Sequence, residues 1–272
     1  MEVHPVGRDA IIETMRAILA ADPAVRAAWL GGSDASGRTD RFSDIDLQAI
    51  VEDDRVEQVL ARIHEGLERL SPIELRYRFP EPMWHGHSQE LLRLRGADPN
   101  HFLDLVIMKR GTPGRLLEPE RHGSALVLFD HDGLLVAETL DRAAHLARME
   151  KRLADLRMQF PLYQPLVTRG IHRRQPAESA YLYQVATLKL LVELLRMRFC
   201  PARYDYGLRY LDRDLPPEWR RKIERLAFPA SPAALLACQA QAAADFEDQI
   251  AALDRGEWTP GEGAWDLASG SA

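Results

Sequence analysis

Cysteine is scarce in this sequence, which has only Cys200 and Cys238 among its 272 residues. Two isolated cysteines form neither a disulfide framework nor a zinc motif, so a reducing, cytoplasmic setting is the default expectation. Long apolar runs are also missing, because none reaches the roughly 18 residues that a membrane-spanning helix requires. The N-terminal stretch MEVHPVGRDAIIETM lacks the basic and then apolar order of a signal peptide. We therefore expect a cytoplasmic protein with no membrane partner.

An excess of positive charge is absent as well. The formal net charge is −6 and the sequence pI is about 5.9, which argues against a nucleic-acid polymer as the main partner. Apolar residues make up 46% of the chain, which is enough to bury a sizeable core. The length suits either one large domain or two domains.

The patterning changes near residue 135 and divides the chain into two predicted domains. Up to that point helical periodicity, as in Val56–Leu70, alternates with strand-like runs such as AVRAAWLGG, SDIDLQAIV and HFLDLVIMK. From there to about residue 254 the periodicity is helical, and the chain ends in a glycine-rich tail that we expect to be loosely ordered. The sequence thus predicts an α/β domain over residues 1–135 and a helical domain over residues 136–272.

Two like charges inside a predicted strand indicate a site. Asp44 and Asp46 are two residues apart, so both carboxylates project from the same face of the strand. A third carboxylate, Asp104, lies in the apolar strand HFLDLVIMK, and adjacent strands would bring all three close together. Such a cluster requires cations, and Mg²⁺ suits it because this ion takes oxygen ligands and also accepts substrate phosphates. Two ions about 3.5–4 Å apart can hold the attacking and leaving oxygens of a phosphoryl displacement.

A glycine-rich turn precedes these carboxylates. Gly31 and Gly32 allow the backbone to come close to a ligand, and Ser33 adds a hydroxyl and a backbone N–H. The following DASG is expected to begin a short helix, whose N-terminus favours anions. The turn and the carboxylates together suit one ligand, a metal-bound nucleoside triphosphate.

At these residues the sequence resembles a known group. The stretch GGSDASGRTDRFSDIDL resembles the Gly-Ser … Asp-x-Asp signature of the DNA polymerase β-like nucleotidyltransferase superfamily, and the resemblance covers about residues 8–130. It implies an α+β fold, with a small mixed β-sheet backed by helices in the nucleotidyltransferase domain and an all-helical domain after it. The second half, with RYDYGLRYLDRDLPPEW, is similar to the C-terminal helical domains of bacterial aminoglycoside adenylyltransferases.

The resemblance also implies a role for each residue of the motif. Asp44 and Asp46 would bind the two Mg²⁺ ions. Asp104 would bind one of these ions and act as general base on the acceptor hydroxyl. Gly32 and Ser33 would hold the phosphates of ATP.

Three further features of the sequence can be interpreted in more than one way. Lys189 either reaches the triphosphate across a domain cleft, as the resemblance implies, or extends from an apolar helix into solvent. Glu74, in PIELRYRF, is a rival to Asp104 for the third carboxylate, although its strand looks more peripheral. The pair His85 and His87, in HGH, is interpreted as a polar turn and is left out of the site.

The predicted function is a Mg²⁺-dependent nucleotidyltransferase that moves a nucleoside monophosphate, AMP from ATP, onto a hydroxyl of a small molecule. The second resemblance indicates an aminoglycoside as that acceptor, and hence antibiotic resistance. Glu81, Glu90 and Glu178 are candidate contacts for such a polycation. Two alternatives stay open: a nucleotidyltransferase that acts on a protein side chain or an RNA end, as antitoxin-type members do, and a non-catalytic member that only binds nucleotide.

Overall fold

Six short strands form one β-sheet in the N-terminal part of the chain. The computed structural model describes residues 5–81, 83 and 85–265, and the chain divides into two units, Met1–Thr139 and Leu140–Ala272. The strands are β1 Val25–Leu30, β2 Ile45–Val51, β3 Ile73–Arg78, β4 Ser88–Leu94, β5 Leu103–Lys109 and β6 Leu126–Asp130. Their order across the sheet is β3-β4-β5-β2-β1-β6. The pair β2–β5 is parallel and the other pairs are antiparallel, so the sheet is mixed and the predicted α+β class is confirmed.

Two long helices cover one face of this sheet. The helices of the unit are α1 Arg8–Ala20, α2 Gly32–Ala35, α3 Val56–Leu70 and α4 Pro119–His122. Helix α3 has the predicted bounds, and its apolar stripe is buried with that of α1 against alternate residues of β2 and β5. The stripe forms a helix because its apolar residues recur three and four positions apart, which places them on one side.

The opposite face of the sheet is only partly apolar. A smaller cluster around Trp29, Ile50 and Met108 covers the C-terminal ends of β2 and β5. The N-terminal ends of the same two strands carry polar residues at the alternate positions that face this way. The fold therefore leaves a polar region on the sheet face opposite α1 and α3.

The described residues of the second unit, 140–265, form helices and no strand, as the sequence predicts. Its α-helices are α5 Arg142–His172, α6 Pro176–Tyr183, α7 Lys189–Phe199, α8 Leu211–Asp214, α9 Pro217–Ala227 and α10 Pro232–Asp254. Phe160 of α5 stacks on Phe246 of α10 with ring centroids 3.7 Å apart, inside a large apolar core. Among the helices of the described residues, none combines the length and the apolar character that crossing a bilayer requires.

Two details of this unit are not visible in the helical periodicity of the sequence. A π-helical turn, Gln184–Leu188, lies between α6 and α7. Side chains of this wider turn bond to neighbouring helices, since Gln184 donates to the Ala227 carbonyl at 2.8 Å. At the start of the tail, the indole of Trp258 is buried and donates to the Gln249 carbonyl at 3.0 Å. Residues 266–272 of the tail lie outside the described part.

Candidate active site

Asp46 and Asp104 face each other across the two parallel strands. They are paired in register between β2 and β5, and adjacent strands lie about 4.8 Å apart. Both side chains are half-buried, while Ile45 and Leu103 beside them are buried in the core under α1 and α3. Because strand residues alternate between faces, the two carboxylates lie on the opposite, polar face. The structure thus brings together two of the three predicted carboxylates.

Asp44 lies one residue before β2 and is held through its backbone. Arg8, near the start of α1, donates from Nε and Nη2 to the Asp44 carbonyl at 3.2 and 2.8 Å. The same guanidinium forms a two-pronged ion pair with Asp34 of α2, and both side chains are largely buried. Arg8 therefore fastens the glycine-rich turn to the start of the carboxylate strand. Sequence reasoning missed this residue.

The glycine-rich turn touches Asp46. The Gly31 N–H donates to the Asp46 carbonyl at 2.9 Å, so the turn continues directly from the sheet. Gly32 has φ +51°, and a Cβ built on it would lie 1.7 Å from Asp46 Oδ2. Glycine suits this position, because a side chain there would be strained and would displace the Asp46 carboxylate. The predicted close approach of the turn therefore has a specific target in the structure.

Two polar atoms that flank this contact lack a partner. The hydroxyl of Ser33 and Oε1 of Gln48 are buried and have no hydrogen bond to any described residue. Gln48 is two residues beyond Asp46 on the same strand, and a Cβ on Gly31 would lie 2.9 Å from its Oε1. Buried polar groups are normally paired, so two orphaned oxygens beside a carboxylate pair indicate a ligand-binding position.

Gln89 completes the polar face from the strand on the other side of β5. Its Nε2 donates to Asp104 Oδ1 at 2.7 Å. The alternation of QELLRL could have indicated that Gln89 and Leu91 share a face, but only the register of β4 against β5 shows that this face is the one with Asp104.

The side chains present fit a magnesium ion. Within the described ranges, no three His, Cys, Asp or Glu side chains are grouped so as to hold a metal by themselves. Mg²⁺ usually takes one or two protein carboxylates and completes its shell with water and substrate phosphates. Asp46 and Asp104 suit that demand, and the unpartnered oxygens of Ser33 and Gln48 suit the waters or phosphates around such an ion. Binding of two ions by Asp44, Asp46 and Asp104 together stays a prediction.

The remaining predicted residues belong to other elements of the fold. Glu74 is exposed on edge strand β3, is bonded by Arg93 at 3.1 Å, and is separated from β5 by β4. Glu90, a candidate acceptor contact, is instead buried and pairs with His64 of α3 at 2.7 Å, on the helix-covered face. Lys189 begins α7 as an exposed residue between buried leucines, and its contact with a triphosphate stays a prediction.

The helical unit has a groove of its own. It has a volume of about 750 Å³ and is lined mainly by the C-terminal half of α5 and by part of α10. Its polar floor is satisfied internally: Thr168 donates to Gln239 Oε1 at 3.2 Å, and Gln239 donates to the Gln164 carbonyl at 2.9 Å. The groove therefore does not show the unpartnered polar atoms that mark the sheet face.

Known proteins add little information on the function of this chain. Neither a protein-family model nor a curated protein sequence matches this chain. Among solved structures, the chain is similar to an aminoglycoside 6-adenyltransferase from Bacillus subtilis, with 14% sequence identity and a TM-score of 0.35, over 92% of this chain and 91% of that one. A likeness at this level carries no argument about activity, so a functional assignment has to rest on the side chains of the sheet face.

Proposed function

We propose that this protein is a Mg²⁺-dependent nucleotidyltransferase that moves a nucleoside monophosphate, AMP from ATP, onto a hydroxyl group of a small molecule. The observation that supports this most directly is the register pair of Asp46 and Asp104 beside a turn that has no room for a side chain at Gly32. Paired carboxylates in contact with a backbone turn suit a ligand that is both metal-bound and phosphorylated.

Each part of the site has a proposed role in this reaction. Asp44, Asp46 and Asp104 would hold the metal ions. When bound, Mg²⁺ supplies positive charge that offsets the negative charge of the phosphates. The backbone at Gly32 would lie against the phosphate chain, and the unpartnered hydroxyl of Ser33 would donate a hydrogen bond to a phosphate oxygen.

Asp104 would also act as the general base. Its carboxylate takes the proton of the acceptor hydroxyl while the acceptor oxygen forms a bond to the α-phosphorus. The bond from the α-phosphorus to the bridging oxygen breaks, and pyrophosphate leaves with that electron pair. The products are the nucleotidylated acceptor and pyrophosphate. The carboxylate must be ionised to accept the proton, and an ionised carboxylate can accept the hydrogen bond that the Gln89 amide donates.

The direct test is incubation with labelled ATP, GTP, CTP or UTP, Mg²⁺ and a panel of hydroxylated small molecules, scored by mass spectrometry. The proposal predicts that one acceptor gains the mass of a nucleoside monophosphate and that pyrophosphate appears in equal amount. Label transferred only to protein or RNA would replace the small-molecule acceptor by the antitoxin-type alternative. Nucleotide binding without transfer to any acceptor would support a non-catalytic nucleotide-binding protein instead.

The finer proposal is that the acceptor is an aminoglycoside and that the activity confers antibiotic resistance in the cytoplasm. An aminoglycoside is a polycation at neutral pH, and the net charge of −6 favours its approach. Titration of the protein with streptomycin-, spectinomycin- and kanamycin-type compounds, in the presence of Mg²⁺ and a non-hydrolysable ATP analogue, would measure its affinity for each compound. We expect micromolar binding of one of them that weakens as salt rises, because the charges are partly exposed. Transfer to a neutral acceptor alone would contradict the antibiotic assignment and leave the nucleotidyltransferase proposal in place.

A further inference from the structure

The general base proposed above is held by a neighbouring strand. Gln89 of β4 lies diagonally across from Asp104 of β5, since Asp104 is paired directly with Leu91. The 2.7 Å bond from Gln89 Nε2 reaches one specific oxygen, Oδ1. Because an ionised carboxylate only accepts hydrogen bonds, the amide must present its nitrogen to Asp104 and its oxygen elsewhere.

The other end of the Gln89 amide meets His85. The distance from His85 Nε2 to Gln89 Oε1 is 3.3 Å, and the backbone N–H of His87 donates to His85 Nδ1 at 3.0 Å. A backbone N–H can only donate, so Nδ1 of His85 is the acceptor and Nε2 carries the ring hydrogen. His85 therefore donates to Gln89 Oε1, which fixes the amide in the orientation that Asp104 requires.

The turn that carries His85 is itself anchored. His87 is buried, and its Nε2 is hydrogen-bonded to the Gly114 carbonyl at 2.8 Å. Burial lowers the pKa of His87, so this ring stays neutral. The two imidazoles stack with centroids 5.3 Å apart, and Gly86 between them has φ +77°. The pair of histidines thus forms a supported turn rather than a solvated one.

We infer that Gln89 is a positioning residue for Asp104 and that His85 acts through Gln89. The inference rests on the proposed function. Holding Oδ1 fixes the rotation of the carboxylate about its bond to Cβ, and so fixes the direction from which Oδ2 meets the acceptor hydroxyl. A base held in this way accelerates the chemical step, because misorientation of a reacting group is costly to the rate.

The experiment is a double-mutant cycle with steady-state kinetics of nucleotidyl transfer. Gln89→Met keeps the length of the side chain and removes both amide groups. It should lower kcat about tenfold or more, which is the usual effect of losing a hydrogen bond to a charged group. The KM for ATP and the affinity for a Mg²⁺-bound ATP analogue, measured by calorimetry, should stay within about twofold of wild type. The isosteric Gln89→Glu should lower kcat at least as much, because it places a second carboxylate against Asp104.

The variant His85→Ala should lower kcat about threefold, and adding it to Gln89→Met should have no further effect, because it acts only through the amide. The matched control is Arg93→Met on the same strand, which removes an exposed side chain bonded to Glu74 and should leave kcat unchanged. If the losses of kcat from Gln89→Met and His85→Ala multiply in the double variant, the inference is overturned. Wild-type kcat in both Gln89 variants would also overturn it, as would a loss of kcat that merely follows a fall in thermal stability. If wild type transfers no nucleotide to any acceptor, the proposed function itself falls and this role falls with it.

Discussion

Gly32 sets how closely the turn and the carboxylate strand approach each other. Its φ of +51° and the 1.7 Å that would separate a Cβ from Asp46 Oδ2 are independent reasons for glycine. Gly37, five residues further along the chain, also has a positive φ, +66°. A methyl group added there would meet no atom within 4 Å beyond its chain neighbours. Substitutions at the two glycines therefore distinguish the cost of backbone strain from the cost of crowding at the site.

We predict that Gly37→Ala costs about 1–2 kcal/mol, the usual penalty for a left-handed alanine. Gly32→Ala should cost about 3 kcal/mol or more, because it adds overpacking against Asp46. It should also abolish binding of a Mg²⁺-bound ATP analogue, whereas Gly37→Ala should bind it as wild type does. Denaturant unfolding and calorimetry measure the two effects. Equal stability losses and equal binding in the two variants would show that the approach at Gly32 is not required.

Asp214 in the helical unit is a second residue with a sharply defined environment. Its fully buried carboxylate accepts hydrogen bonds from Arg196 and Arg203 at 2.6 Å and from Arg213 at 2.9 Å. Burial alone would raise the pKa of Asp214, but the bonds from Arg203, Arg213 and Arg196 together outweigh it and lower the pKa to about 2. The depressed pKa contributes about 2 kcal/mol of stability, which is present above the ordinary pKa of 3.8 and is lost as the pH falls through about 2.

We predict that Asp214→Asn destabilises the protein by about 3–5 kcal/mol at pH 7, because three buried guanidinium groups lose their counter-charge. The stability gap between wild type and variant should be constant above about pH 5. It should narrow as the pH falls from 3.8 towards 2, since only wild type loses the contribution of this group. Urea unfolding of both proteins at several pH values measures this stability gap. A gap that stays constant down to the lowest pH would contradict the assigned environment.

At the scale of elements, Arg8 joins three parts of the first unit. It extends from α1 to the Asp34 carboxylate of α2 and to the Asp44 carbonyl before β2. Helix α2 is only four residues long and contributes no residue to the apolar core, so it has little packing of its own. The position of the glycine-rich turn relative to the carboxylates therefore depends on this guanidinium.

We predict that Arg8→Met destabilises the protein by about 2–3 kcal/mol, because it leaves the largely buried Asp34 without its cation. The affinity for a Mg²⁺-bound ATP analogue should fall at least tenfold as the turn loses its anchor. Arg16→Met is the control: it lies further along α1 and removes only an exposed pair with Glu13, so stability and affinity should stay unchanged. If Arg8→Met and Arg16→Met have the same stability and the same affinity for the analogue, Arg8 of α1 does not hold the turn.

At the scale of the whole molecule, local periodicity predicts most of the fold. Helix α3 and the strand around Asp46 can be located from the sequence because apolar spacing directly reflects which side is buried. Asp46 and Asp104 can also be located as candidates, since each is the single acidic residue of a mainly apolar strand. Their juxtaposition, however, depends on the pairing of β2 with β5.

The supporting residues of the site could not be predicted in the same way. Gln89 and Glu90 are adjacent, yet one bonds Asp104 and the other bonds His64 of α3. Which of them faces the site depends on the register of β4, and a shift of one residue would exchange them. The bond from Arg8 to Asp34 likewise joins residues whose proximity depends on how α1 packs, not on any local pattern.

Nucleotidyl transfer at the carboxylate pair is tested by comparing wild type with Asp46→Asn and Asp104→Asn. Mass spectrometry would follow AMP transfer from ATP to the acceptor found in the panel, with Mg²⁺ present. We predict that transfer by wild type is lost in both variants. Their folds should stay intact, with apo thermal stability equal to or slightly above wild type, because each amide relieves repulsion between the paired carboxylates. Transfer at near wild-type rates by folded Asp46→Asn and Asp104→Asn would show that this carboxylate pair is not the site of nucleotidyl transfer.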